Sequence, residues 1–120
     1  MLSLHIDSIG DIVIVECEGR IVQSDAALKL REAVTSQRDA RVVVLDLSEV
    51  SAIESFGLGM FWFLLRWAHE HDIRIKLFNP TNSVRDRLER ANSMLQFDIT
   101  TLEEMMALLA VARSRYALAA

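Results

Sequence analysis

The sequence predicts an α/β fold, one mixed sheet of four to five strands with about four helices packed on it. Three observations carry that prediction. Two early strand-like segments flank a Gly-Asp pair, as in a hairpin, the second setting Ile12, Ile14 and Glu16 on one face and Val13, Val15 and Cys17 on the other. A later run, "RVVVLDL", is continuously apolar and β-branched, as a strand buried on both faces should be. After the hairpin, strand-like and helix-like segments alternate, which favours parallel strands with helical crossovers.

Each element has its own signal. "LHIDS" and "DIVIVECEG" flank Gly10-Asp11 and form the hairpin; Ile12, Ile14 and Glu16 alternate with Val13, Val15 and Cys17. "SDAALKLREAVTSQ" is a helix with Ser24 as N-cap and a stripe of Ala27, Leu28, Leu30, Ala33 and Val34. "RVVVLDL" is the central strand. "SAIESFGLGMFWFLLRWA", Ser51 to Ala68, reads as a turn running into a second helix. "IRIKLFN" puts Ile73, Ile75 and Leu77 on one face, and Asn79-Pro80 ends it. A short helix follows, about Ser83 to Ala91, with Val84 and Leu88 inward. "QFDIT" is a short edge strand. The last helix opens with a capping box, Thr101 and Glu104, and repeats Leu102, Met105, Met106 and Leu109 at helical spacing. Its methionines, like the chain's five in all, read as core filler rather than a promiscuous binding face.

The 120 residues make one domain, 1–120, with a core over about 4–112 and a tail, 113–120, expected to fray. Glycine is sparse and proline single, so no flexible linker divides the chain. The net charge is -4, and the 13 basic residues are scattered. The densest run, "RDRLER", mixes both signs and reads as a solvated helix face, so nucleic acid is not an expected partner. Cys17 is the only cysteine, which excludes an intrachain disulfide; its neighbours suggest a buried strand thiol. "MLSLHIDSIG" lacks the features of a signal peptide. The longest uncharged run, Ser55 to Leu65, has 11 residues and is too short to span a bilayer. A cytoplasmic protein without direct membrane insertion is expected.

The second helix is greasier than a surface helix needs to be. With Phe56 at zero and about 100° per residue, Leu58, Phe61, Trp62, Leu65 and Ala68 fall on one side, expected to face the sheet. Phe56, Met60, Phe63 and Trp67 form a second stripe on the other side. Four large side chains over three turns make a patch of the size that marks contacts. The expectation is a protein partner, or a homodimer through the Phe56–Trp67 helix; cover by the last helix is the intramolecular alternative.

"GRIVQSDAALKLREAV", "RVVVLDLSEVSAIESFGLGMFWFLL" and "IRIKLFNPTNSVRDRLERAN", in this order, resemble the STAS domain of bacterial anti-sigma factor antagonists. The resemblance covers roughly Ile12 to Leu109. It rests on Gly19-Arg20, read as closing the hairpin, on "VVLDLSEV" followed by an acidic residue, Ser and "GLG", and on Asn79-Pro80. In that family the turn before this helix usually reads Asp-Ser-Ser/Thr-Gly-Leu. The second hydroxyl is phosphorylated by a partner kinase that is also the anti-sigma factor. The unmodified antagonist binds the kinase, and the added charge of about -1.5 to -2 breaks the complex. Here Glu54, Ser55 and Gly57-Leu58-Gly59 match, but the acceptor position is Phe56, which has no hydroxyl. Ser55 is the remaining candidate for phosphorylation, one residue out of register and turned by about 100°. The resemblance implies a non-catalytic regulatory module, and with the second stripe the residues expected on its partner are Ser55, Phe56, Gly57, Met60, Phe63 and Trp67. That partner would be an anti-sigma factor/serine kinase, met without phosphorylation at the usual position.

Other functions have less behind them. His69-Glu70-His71 places its histidines about 200° apart on a helix, so they do not share a metal. Asp46, Ser48 and Ser51 follow a central strand, where α/β sheets place sites, but no nucleophile elbow or phosphate loop accompanies them. No catalytic residues, metal or cofactor are expected. The same fold implies a second role, an accessory subunit of a membrane transport complex such as a lipid-trafficking ABC transporter. A small-ligand sensor has only fold analogy behind it.

Overall fold

The computed structural model describes residues 2–91 and 97–119, with side chains through residue 113. The elements run β1 (Leu2–Ile9), β2 (Ile12–Ile21), α1 (Asp25–Thr35), β3 (Val42–Ile53), α2 (Ser55–Glu70), β4 (Arg74–Phe78), α3 (Asn82–Ala91), β5 (Ile99–Thr100) and α4 (Leu102–Ala119). Met1, Met94 and Gln96 lie outside the described residues.

The five strands lie in sequence order across one sheet. β1 and β2 form the predicted antiparallel hairpin around Gly10-Asp11, and Gly10 takes φ 63°, where glycine carries no steric cost. β2, β3, β4 and β5 then pair in parallel. β3 is central, and Val42 to Leu45 are buried on both faces. It runs on to Ile53, well past the apolar run that predicts it. Its second half, Glu49 to Ile53, pairs with Glu18 to Ile21 beyond a break in register. Gly19-Arg20 sits at that irregularity and does not close the hairpin, contrary to the reading from sequence. Gly19 has φ 116°, which an L side chain rarely adopts.

Strand side chains alternate between faces. Val13, Val15, Cys17, Val43, Leu45, Leu47, Ile75 and Leu77 join Leu30 and Val34 of α1, Phe61 and Leu64 of α2 and Val84 and Leu88 of α3 in the main core. Ile12, Val42 and Val44 face the other way, against Met105 and Ala112 of α4. So α4 packs on the opposite face of the sheet from α2. It does not cover α2, and the intramolecular alternative fails for that reason.

Ser24 caps α1 by accepting a hydrogen bond from Ala27 N–H at 3.2 Å, and Thr101 does the same for Glu104 N–H at 3.1 Å. α4 runs from Leu102 to Ala119. Of the predicted stripes, Leu28, Leu102 and Met106 are exposed instead of buried. Met105 fills the core as expected; Met106 does not.

Candidate functional site

The site is built where β3 hands over to α2. Glu54 is the single residue between them. Its N–H donates to the carbonyl of Ile21 at 3.1 Å, and its own carbonyl accepts from Leu58 N–H at 3.1 Å. The carboxylate does not cap the helix; it turns to Arg20, 3.3 Å away, and both side chains are exposed. The first-turn N–H groups of α2 thus receive no cap from the preceding side chain.

Hydroxyls tie the surrounding backbone. Ser51 Oγ donates to Gly19 O at 3.3 Å, Ser83 Oγ to Ser51 O at 3.2 Å, and Thr81 Oγ1 to Val50 O at 3.0 Å. These link β2, β3 and the start of α3. Asp46 accepts from both N–H and Oγ of Ser48, at 3.0 and 2.7 Å. Asp46, Ser48 and Ser51 lie within β3, and these bonds occupy them.

Ser55 is exposed as the first residue of α2. Phe56, the second, is partly buried and packs on the main core. Gly57 is buried, and the reason is steric. A Cβ there would stand 2.7 Å from Ile53 Cγ1, 2.8 Å from Ile21 Cγ2 and 3.0 Å from Ile21 O. Here α2 lies tightly against β2 and β3.

That close approach sets the rotation of the helix. The buried line is Gly57, Met60, Phe61, Leu64 and Ala68, spaced i, i+3/4, i+7 and i+11. It is turned by about 80° from the expected one. Met60, assigned to the partner stripe, is 6% exposed and belongs to the core. Trp62, assigned to the sheet side, is 44% exposed, as is Phe63. Phe56, Leu58, Leu65 and Trp67 are half-buried flanks. Of the six predicted partner residues, Ser55 and Phe63 are exposed, Phe56 and Trp67 are partly so, and Gly57 and Met60 are inaccessible.

The solvent face of α2 is therefore Ser55, Gly59, Trp62, Phe63 and Arg66. Gly59 has open space around a would-be Cβ, so it leaves a notch in the helix surface. Two guanidinium groups stand over the aromatic rings: Arg31 over Phe63 and Arg66 over Trp62, each 5.2 Å from the centroid. A shallow groove of about 280 Å³ is lined by Trp62, Phe63, Arg66, Trp67 and Glu70. His71 stacks on Trp67 at 4.6 Å, and its Nδ1 lies 2.7 Å from Trp67 O. Sequence reasoning missed Trp62 and Arg31. The small residues Gly57 and Ala68, at the two ends of the buried line, were the available signal.

Among the described residues, no three His, Cys, Asp or Glu side chains are placed to hold a metal. Cys17 is buried; desolvation, then the charge of Asp46, pushes its thiol up to about 12. It is held protonated at neutral pH and is a poor nucleophile. No described helix is long and apolar enough to cross a membrane.

Known proteins resemble this chain in fold. The STAS domain family model matches residues 3–104. No curated protein matches in sequence. Among solved structures, the anti-sigma factor antagonist SpoIIAA in its unphosphorylated form aligns with TM-score 0.72 and 18% identity, over 94% of this chain and 96% of that one. An anti-sigma factor antagonist from Mycobacterium paratuberculosis aligns with TM-score 0.73 and 16% identity, over 92% and 95%. The Bacillus cell fate determinant SpoIIAA in its phosphorylated form gives TM-score 0.68 and 16% identity, over 89% and 99%. At these identities the likeness is one of fold.

Proposed function

The chain belongs to the STAS domain family, and from that premise we propose that it is a regulatory protein–protein interaction module of the anti-sigma factor antagonist kind. It binds its partner through the solvent face of α2, without catalysis and without phosphorylation at the position the family uses.

One observation carries this reading: the second residue of α2 is Phe56, packed on the core, and about two turns on the same helix exposes an aromatic pair, Trp62 and Phe63. A residue without a hydroxyl accepts no phosphoryl group, so no charge added there can open the contact. Large aromatic rings suit an interface anchor, because they bury much area at low entropic cost. Arg31 and Arg66 favour a partner surface that carries carboxylates around an apolar centre. Such a module works in the cytoplasm, where sigma factors act.

The test is a titration of the purified chain against the host's serine-kinase anti-sigma factor, by calorimetry, with and without magnesium-ATP. The expected result is one complex in both conditions, lost with Phe63→Asp. A complex that ATP dissolves, with phosphate found on Ser55, replaces constitutive binding by a shifted switch. No complex at about 100 µM sinks the sigma-factor reading. The accessory-subunit role then becomes the one to pursue, since a contact with no local switch also suits a permanent subunit of a transport complex.

A further inference from the structure

The two edges of the sheet differ in kind. β5 offers two residues at one edge, and β1 offers eight at the other. β1 pairs with β2 from Leu2↔Gly19 to Ile9↔Ile12 without a register shift, and among the described residues no strand lies outside it. Soluble proteins usually blunt such an edge with a proline, a lysine or a bulge. "LSLHIDSI" has none of these. Its ionisable side chains are His5 and Asp7, of opposite sign when the histidine is protonated.

We propose that the outer edge of β1 pairs antiparallel with β1 of a second copy, with the two-fold axis at Ile6. This surface is separate from α2, so the inference does not depend on the partner reading above.

The register follows from the backbone. The two-residue turn sets Ile9 opposite Ile12, and such a turn closes with the first carbonyl accepting from the second N–H. Backbone groups alternate in direction along an antiparallel strand. Ile9, Asp7, His5 and Ser3 therefore direct theirs at β2, while Leu4, Ile6 and Ser8 direct theirs outward. A second copy must match outward residues to outward residues.

Centres at His5 and Ile6 each keep seven of the eight residues paired, and centres at Leu4 and Asp7 only five. A centre at His5 sets His5 against its own copy, and a centre at Asp7 sets two carboxylates face to face, which is unfavourable. A centre at Ile6 sets His5 opposite Asp7 twice, Leu4 opposite Ser8 twice, and Ile6 against itself. Ile6 is 45% exposed, whereas Val15, its neighbour on β2, is fully buried. The difference is that nothing described lies beyond the edge, and a second Ile6 supplies what is missing. α2 packs over β3 and β4, so the dimer would present two α2 faces on the same side of one continuous sheet.

The test is light scattering on the full chain from about 10 µM to about 1 mM, with circular dichroism as the fold check. Wild type is expected to reach twice the 13.6 kDa of one chain. Ile6→Lys and Ser8→Pro are expected to stay monomeric and folded; the Ser8 N–H points outward, so proline there costs the monomer no ladder bond. His5→Asp should weaken the dimer by about threefold, and the exchange His5→Asp with Asp7→His should restore it. A wild type that stays monomeric overturns the proposal. So does a dimer that survives Ile6→Lys or Ser8→Pro, or one that Phe63→Asp abolishes.

Discussion

The guanidinium of Arg31, on α1, stands 5.2 Å above the ring of Phe63, on α2. One helix thus holds an exposed aromatic of the next by its face. At an exposed site such a contact contributes about 0.5–1 kcal/mol. Arg31→Ala should lose that much in urea unfolding while leaving the slope of the transition unchanged. Arg31→Lys, which keeps the charge but not the planar group, should lose less.

The rotation of α2 gives a sharper contrast. Met60→Ala should cost about 2–5 kcal/mol, because it opens a cavity under the helix. Trp62→Ala should change stability by less than about 1 kcal/mol, although it removes far more atoms. The helical wheel drawn from sequence alone gives the opposite order. Denaturation of the two variants side by side decides between them.

That reversal shows where the sequence is legible. The order of elements along the chain, the hairpin, both helix caps and the double burial of β3 follow from local periodicity and turn chemistry, which act over a few residues. The rotation of α2 is harder to read, because its polar arc is only Ser55, Arg66, His69 and Glu70, and the exposed Trp62 and Phe63 break into it. It is fixed by contacts far along the chain: the fit of Gly57 against Ile21 and Ile53. The run of β3 to Ile53 is hidden for a similar reason. "SEVSAI" alternates too weakly to read as a strand, and pairing with Glu18 to Ile21 holds it extended. Arg20 beside Glu54 depends on that same pairing.

The two glycines of α2 should respond in opposite directions. Gly57→Ala pushes a methyl into Ile53, Ile21 and the Ile21 carbonyl, and should cost about 1–3 kcal/mol. Gly59→Ala meets nothing and should gain about 0.5–1 kcal/mol from helix propensity. If the notch at Gly59 receives a partner's backbone, Gly59→Ala should also weaken the complex while melting higher. Thermal melts and a binding titration on the same preparations separate the two effects.

Cys17 predicts a base-sensitive fold. Its thiol is pushed up to about 12 by burial and by Asp46, while in the unfolded chain it ionises near 9. The native state therefore keeps a proton that the unfolded chain gives up. This contribution is complete below pH 9 and is lost as the pH rises toward 12, with a limiting slope of about 1.4 kcal/mol per pH unit. Cys17→Ala should flatten that part of the stability profile. Native protein at about pH 8 should resist a thiol alkylating agent that labels the unfolded chain at once.

The start of α2 supplies the last prediction, Phe56→Ser. Removing a ring that packs on the core should cost about 1–3 kcal/mol, so the variant needs a melt before any assay. If it folds, it carries a hydroxyl at the second position of a helix whose N-terminal N–H groups lack a side-chain cap. Those groups favour a phosphate, and Arg20, paired with Glu54, stands beside the same turn. The expected result is that a serine-kinase anti-sigma factor phosphorylates the hydroxyl introduced by Phe56→Ser and leaves wild type unmodified. ATP should then dissolve the variant's complex and spare that of the wild type. If the kinase ignores both, the apolar side chain of Phe56 is not what stands between this chain and a phosphorylation switch, and the cause lies in docking. If it modifies wild type at Ser55, the acceptor has moved by one residue, and the contact through α2 is regulated after all.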